Sequence, residues 1–399
     1  MAITINTEPN DIAPVYSDIS YVVTSTNYAQ SNFKFVAVVK NAAGTIIAKL
    51  KAPIFHGTTD KGVFNITRIL QNYVTYDFTQ SLATISKCPN SYIGYSVEFG
   101  EEYGGTEYLT LATDSGKYVW NGLFNLYGSE TTATYQITFP STTPKFLTRV
   151  RTRRVSLAQT DYLYFLRGSA GASTSIEVKA YDGAGSLIAT SKITTSFTDA
   201  GEKSEYLLRC PAGADNLNDV AQAELAVGTA GSVVPASTSY YTIQCIDNGS
   251  QLGSELYRFD VVEECSKYDT QYLYFLNPLG GFESVRCSMA SKDKYNVSRK
   301  QFKQNNYTLT GNTYAYDTSK HGITNYAVEK TKEVELNTNW LNETEFEWLQ
   351  DLIASPVVFL GNIPVNIVET SYEVFDYVDG PNNLKITVQY TEPERLQNA

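Results

Sequence analysis

Phe33-Lys-Phe-Val-Ala-Val-Val39, followed by Lys40, the turn Asn41-Ala-Ala-Gly44 and the run from Thr45 to Ile54, decides the reading of the fold. Phe33, Phe35, Ala37 and Val39 alternate with Lys34 and Lys40, so an extended strand here has one apolar face. The turn residues return the chain for a second arm, which predicts a β-hairpin. Downstream, Asn65 of Gly62-Val-Phe-Asn65 is placed to cap a helix carrying Ile66, Ile69, Leu70, Tyr73 and Val74 on one face. Further strands are expected over 92–99, 118–126 and 135–139, with a glycine turn at Tyr103-Gly-Gly-Thr106.

Composition extends the β reading to the whole chain. Its 399 residues include 30 tyrosines but only two methionines, a balance that favours pleated, half-buried surfaces over helical bundles. Hydrophobic residues make up 42% and charged residues 18%, enough apolar surface for packed cores and too few charges for a disordered chain. The fold class expected is mainly β, with two or three β-sandwich or small-barrel modules and a few short helices. The three segments are 1–144, 145–265 and 266–399. The first is β-rich with one short helix and ends at Ser141-Thr-Thr-Pro144. The second is sandwich-like, with turn signals at Asp182-Gly-Ala-Gly185 and Asn248-Gly249. The third is β-rich with a C-terminal helix: Asn342-Glu-Thr-Glu345 forms a capping box before Phe346, Leu349, Leu352 and Ile353, and Ser355-Pro356 stops it. Its last strand, Leu384 to Tyr390, alternates apolar and polar residues. Gln271-Tyr-Leu-Tyr-Phe-Leu276 echoes Asp161-Tyr-Leu-Tyr-Phe-Leu166, either as related module starts or through shared strand chemistry.

Charge and motif content narrow the function. With 31 basic and 42 acidic residues, net −11, a sequence-independent grip on phosphate backbones is disfavoured, and no nucleic-acid partner is expected. The N-terminal sequence lacks a secretory pattern, and no run reaches the ~18 apolar residues of a membrane helix, so neither export nor a membrane is expected. Five scattered cysteines without a CxxC pair predict reduced thiols. His56 and His321, the two histidines, are too far apart for zinc-ligand spacing. Gly168-Ser-Ala-Gly171 lacks nucleophile-elbow spacing, and Gly116-Lys117 lacks the phosphate-loop pattern. Leu217 interrupts the oxygen ligands a calcium loop needs in Asp215-Asn-Leu-Asn-Asp219. Glu101-Glu102 and Glu263-Glu264 are the acid pairs available to glycoside hydrolysis, but adjacent strand residues point oppositely. No enzyme activity and no cofactor are expected.

The one dense basic cluster, Arg149, Arg151, Arg153 and Arg154, gives the candidate site. Arg149, Arg151 and Arg153 share one side of an extended strand, where like charges repel unless an acidic surface opposes them. A subunit interface would supply that surface; a solvated edge strand guarded by its charges fits the residues equally.

Three ordered stretches carry a resemblance: Gly62-Val-Phe-Asn-Ile-Thr-Arg-Ile-Leu-Gln-Asn72, Tyr274-Phe-Leu-Asn-Pro-Leu-Gly-Gly-Phe-Glu-Ser284 and Trp340-Leu-Asn-Glu-Thr-Glu-Phe-Glu-Trp-Leu-Gln-Asp-Leu-Ile-Ala-Ser-Pro356. Together they resemble virion structural proteins of tailed bacteriophages that infect Bacteroidetes, crAss-like phages included. The resemblance implies β-rich subunits assembled in host cytoplasm into homo-oligomeric rings or adaptors of the neck, tail or baseplate, alongside other virion proteins. It carries no catalytic residues. A carbohydrate-binding adhesin using exposed aromatics, or a glycan-cleaving tail protein, are the alternatives.

Overall fold

The computed structural model describes residues 3–81, 83–125, 128–167, 174–194, 207–221, 225–227, 232–247, 250–263, 267–319, 322–338, 340–368, 383–392 and 394–395. The protein is mainly β, as composition and alternation predict, and its strands form several separate sheets. The chain divides into two compact units: Met1–Glu263 with Leu276–Ser284, and Glu264–Phe275 with Val285–Ala399. Ser86–Lys87 and Gln136–Ile137, which precede the break expected near 144, join Tyr162–Arg167 and Leu207–Pro211 in one sheet.

The first unit holds two sandwiches. In one, a five-stranded sheet runs in the order Ile12–Pro14, Thr106–Trp120, Tyr92–Tyr103, Lys34–Asn41, Ile46–Ala52. It faces a sheet of Ile3–Thr7, Ser20–Ser25 and Lys61–Asn65 across a core of Tyr21, Val23, Phe35, Val39, Val97 and Phe99. The hairpin read from Phe33 onward is present, with Phe35 opposite Ala52 and Val39 opposite Ala48. Val36 and Val38 are buried as well, so this central strand is covered on both faces, which alternation alone does not foresee. The first helix is shorter than expected: it spans Thr67–Gln71 with Ile66 at its N-cap, and Asn65 ends a strand while its Oδ1 accepts from the Thr67 N–H at 3.0 Å.

In the second sandwich, Leu163, Phe165, Leu208 and Cys210 of the four-stranded sheet pack on Ile176, Val178, Ile243 and Phe259 of a six-stranded one. The strand expected over 118–126 is the end of Thr106–Trp120. It stops where the Gly122 N–H turns back to the Trp120 carbonyl at 2.8 Å and takes the chain off the ladder. The strand expected over 135–139 is a helical turn, Thr132–Tyr135, followed by Gln136–Ile137.

Leu276–Ser284 belongs to the first unit although it lies far downstream of it in sequence. The Trp120 Nε1–H donates to the Leu279 carbonyl at 3.0 Å, and the Leu123 N–H donates to the Pro278 carbonyl at 2.7 Å. Phe282 packs its ring on Phe78 at 4.8 Å. Gly280 has φ +92°, and a Cβ built there would lie 2.0 Å from the Asn121 carbonyl oxygen, so only glycine fits.

The second unit is built on strands ordered Gln271–Leu276, Val358–Leu360, Ile363–Ile367, Lys385–Tyr390, Ile323–Asn337 and Lys292–Lys303. The capping box holds: in Glu343–Ile353 the Asn342 Oδ1 accepts from the Glu345 N–H at 2.8 Å, and Glu345 accepts from the Asn342 N–H at 3.0 Å. That helix buries Phe346, Trp348, Leu349 and Leu352, with Trp348 5.8 Å from the Phe275 ring. Ile386 and Val388 of Lys385–Tyr390 point into the core, as their alternation predicts. The echoed segments have different surroundings: Tyr162–Arg167 pairs with Leu207–Pro211, and Gln271–Leu276 with Val358–Leu360.

Gly280→Ala is expected to lower the stability of the first unit by about 2–3 kcal/mol, from left-handed backbone strain and the clash with Asn121. Urea unfolding of the variant beside the wild type measures it; an unchanged transition would show that this turn is not held as described.

Candidate interaction surface

Strands Lys292–Lys303 and Ile323–Asn337 pair antiparallel from Lys292 opposite Glu335 to Lys303 opposite Ile323. A third strand supports only the base of this ribbon, where Lys385–Tyr390 pairs with residues 333–337 and Glu394–Arg395 with 329–330. Beyond that point it is two strands thick among the described residues, and every residue of Lys292–Lys303 is exposed. Hydrogen bonds from the Gln304 N–H to the Gly322 carbonyl and from the Asp317 N–H to the Asn306 carbonyl carry the pairing outward to a hairpin of Tyr307–Thr310 and Thr313–Tyr316. Its turn is Gly311-Asn312, with Gly311 at φ +62°. At about 3.3 Å per residue, 299–310 extend roughly 40 Å.

The hairpin register fixes its chemistry. Tyr307 stands opposite Tyr316 and Leu309 opposite Tyr314, so all four lie on one face, with Thr308, Thr310, Thr313 and Ala315 on the other. The four are 42%, 68%, 57% and 65% exposed in the order Tyr307, Leu309, Tyr314, Tyr316. Their ring contacts are with each other, Tyr307 to Tyr314 at 5.0 Å and Tyr314 to Tyr316 at 6.5 Å. Tyr295, Phe302, Ile323 and Tyr326 add exposed apolar surface along the ribbon. A clustered exposed patch of this kind marks an interaction site, whereas scattered single residues would not.

The ribbon also concentrates positive charge. Residues 292–337 carry eight basic and five acidic side chains in a chain of net −11, and Lys292–Lys303 alone carries five basic and one acidic. Near the base the charges are matched: Lys332 lies 2.8 Å from Asp293, which holds its ammonium above the usual lysine range, and Lys294 lies 3.2 Å from Glu333. Further out, Arg299, Lys300 and Lys303 have no carboxylate partner among the described residues.

The arginine cluster resolves into separate roles. Arg153 is 2% exposed and its charge is spent inside the first unit. Its Nη1 donates to Asp161 Oδ2 and its Nη2 to Glu283 Oε1, both at 2.8 Å, and Nη2 also donates to Thr148 Oγ1 at 2.7 Å. Asn277 Nδ2 donates to the same Glu283 oxygen at 2.9 Å, and Asp161 Oδ1 accepts from the Ser284 N–H at 3.0 Å. The expectation of three arginines on one face fails at Arg153 because the regular strand begins only at Thr152, and the guanidinium turns inward to two buried carboxylates. Arg149 and Arg151 are exposed and Arg154 is half-buried; Arg151 Nε lies 3.3 Å from Glu255.

The residues weighed for chemistry are dispersed. His56 is exposed, and His321 lies outside the described residues, as do Gly168-Ser-Ala-Gly171, Glu264 and Cys265. Among the described residues no group of three or more His, Cys, Asp and Glu side chains could hold a metal ion. Glu101 is buried and accepts from Ser25 Oγ at 3.1 Å, whereas its neighbour Glu102 pairs with exposed Lys51, so the two point to opposite faces. Burial pushes the Cys287 thiol up to about 12 and also raises Cys88, Cys210 and Cys245, which leaves none of these four poised as a thiolate.

No family model and no curated protein matches the chain. Among solved structures it is similar to dimeric latent PorU from Porphyromonas gingivalis at 11% identity, over 83% of this chain and 31% of that one, with a TM-score of 0.20. It is similar to the C-terminal domain of the AgI/II polypeptide BspA from Streptococcus agalactiae at 10% identity, over 65% of this chain and 99% of that one, at 0.14. A third likeness, to the S-layer protein rSbsC, has 12% identity over 99% of this chain and 54% of that one, also at 0.14. The chain thus spans about a third of the length of PorU.

Arg153→Met is expected to destabilise the first unit by about 3–5 kcal/mol, because Asp161 and Glu283 are then buried without a counter-charge. Arg151→Met, which removes an exposed pair, should cost under about 1 kcal/mol. Thermal unfolding of both variants checks the contrast, and equal small shifts would contradict the buried cluster.

Proposed function

We propose that this chain is a structural subunit of a tailed-phage virion, assembling with copies of itself and with other virion proteins into a ring or adaptor of the neck, tail or baseplate. The observation that carries the proposal is the hairpin face of Tyr307, Leu309, Tyr314 and Tyr316, which presents apolar surface that no other part of the described chain covers. An isolated two-stranded hairpin is at best marginally stable in water, so a hairpin of this kind is favoured by a surface that covers it. The resemblance of the three ordered stretches to phage virion proteins supports the same reading. Arg149 and Arg151 are exposed and Arg154 is half-buried, which suits them to the polar rim of a subunit contact. A ring built from contacts between unlike patches closes without a two-fold axis, which suits one surface that is aromatic and another that is basic.

Electron microscopy and light scattering of the purified chain test the proposal. The expected result is a closed annulus with a mass several times the 44.3 kDa of one chain. Replacing Leu309, Tyr314 and Tyr316 together by Ser should weaken assembly by about 100-fold while leaving the circular dichroism unchanged, since all three side chains are exposed. A solitary wild-type molecule that cleaves a glycan would overturn it.

A further inference from the structure

The ribbon and one helix of the second unit each leave charge without a partner, and the two are opposite in sign. On the ribbon, Arg299, Lys300 and Lys303 are exposed and no carboxylate among the described residues approaches them. This is unusual in a chain with a surplus of eleven negative charges. On the helix Glu343–Ile353, the apolar face is buried, while Glu343 and Glu347 are exposed, stand four residues apart on one side and have no cation partner among the described residues. The stretch 338–399, which contains that helix, holds ten acidic and two basic residues, against eight basic and five acidic in the ribbon stretch 292–337.

We infer that the ribbon docks on a second copy of this chain, with Arg299, Lys300 and Lys303 facing Glu343 and Glu347 of that copy while the apolar hairpin beyond them is covered. The inference rests on the reading of the chain as an assembly subunit and names the surfaces that join one copy to the next. Lys292–Lys303 is an edge strand with an open row of backbone donors and acceptors, and its lysines protect that edge from pairing indiscriminately. An acidic surface removes the protection, so the same charges that block random edge pairing select the intended partner. Donor and acceptor surfaces lie on different elements, so each copy receives one ribbon and offers one. Repetition of that contact gives a ring or a filament.

Swapping the charges of the two surfaces tests the contact. R299E/K300E/K303E reverses the ribbon, and E343K/E347K reverses the helix face; all five side chains are exposed, so both variants are expected to keep the wild-type circular dichroism. Light scattering at low ionic strength should find the wild type assembled and each variant alone at the 44.3 kDa of one chain. An equimolar mixture of the two variants should regain the wild-type mass, because every contact in an alternating assembly again joins opposite charges. A mixture that stays at one-chain mass, or a ribbon variant that assembles like the wild type, overturns the inference and leaves the assembly reading standing. A wild-type chain that is itself solitary removes the assembly reading and the inference with it.

Discussion

A two-stranded β-ribbon has two faces and two edges and cannot bury any of them by itself, and the functional reading of this protein depends on that constraint. Elsewhere in the chain the sheets find a partner layer: the five- and six-stranded sheets of the first unit each pack on a second sheet, and the second unit covers its sheet with the helix Glu343–Ile353. The exception is the ribbon beyond residue 329, where pairing continues but cover does not. Its end places a Tyr307–Tyr316 pair and a Leu309–Tyr314 pair on one side, and three threonines with Ala315 on the other. A strand pair meant to remain in water would carry polar residues on both faces, so the asymmetry points to something that lies against the apolar side.

Within the first unit, order depends on a different interaction. Arg153 lies between Asp161 and Glu283, and the second of these arrives on Leu276–Ser284, a segment separated in sequence from the rest of the unit. Removing a guanidinium and two carboxylates from water is costly, and the cost is offset only because each group meets further donors and acceptors, including Thr148, Asn277 and the Ser284 backbone. Such a cluster adds little net stability over an apolar core, but it tolerates few alternatives. It fixes where the returning segment must lie, and the turn at Gly280 against Asn121 fixes it again a few residues away.

Much of the architecture was legible wherever a local pattern decides it. The hairpin after Phe33, the turn at Tyr103-Gly-Gly-Thr106 with both glycines at positive φ, and the capping box at Asn342 depend on near neighbours, and all three stand in the structure as read. Reading was weaker where distant segments meet. Tyr92 to Trp120 is one long hairpin whose end is set by a turn at Gly122, and short strands from before residue 144 pair with strands from after it. The candidate site was only partly legible. Arg153 looks the same as Arg151 in sequence, and nothing local reveals the two buried carboxylates that claim it. The ribbon was missed altogether. Its signal was present, however, in the alternation of Tyr307, Leu309, Tyr314 and Tyr316 about Gly311-Asn312, with lysines on either side.

In the proposed assembly the ribbon's apolar hairpin is covered by a protein surface. Amide hydrogen exchange across Tyr307–Thr310 and Thr313–Tyr316, followed over a dilution series of the intact chain, tests this most directly. Slow exchange at high concentration that becomes fast on dilution is expected, while the amides of Lys34–Asn41 stay protected throughout. Fast exchange in the hairpin at every concentration, with no dependence on any companion molecule, would contradict it.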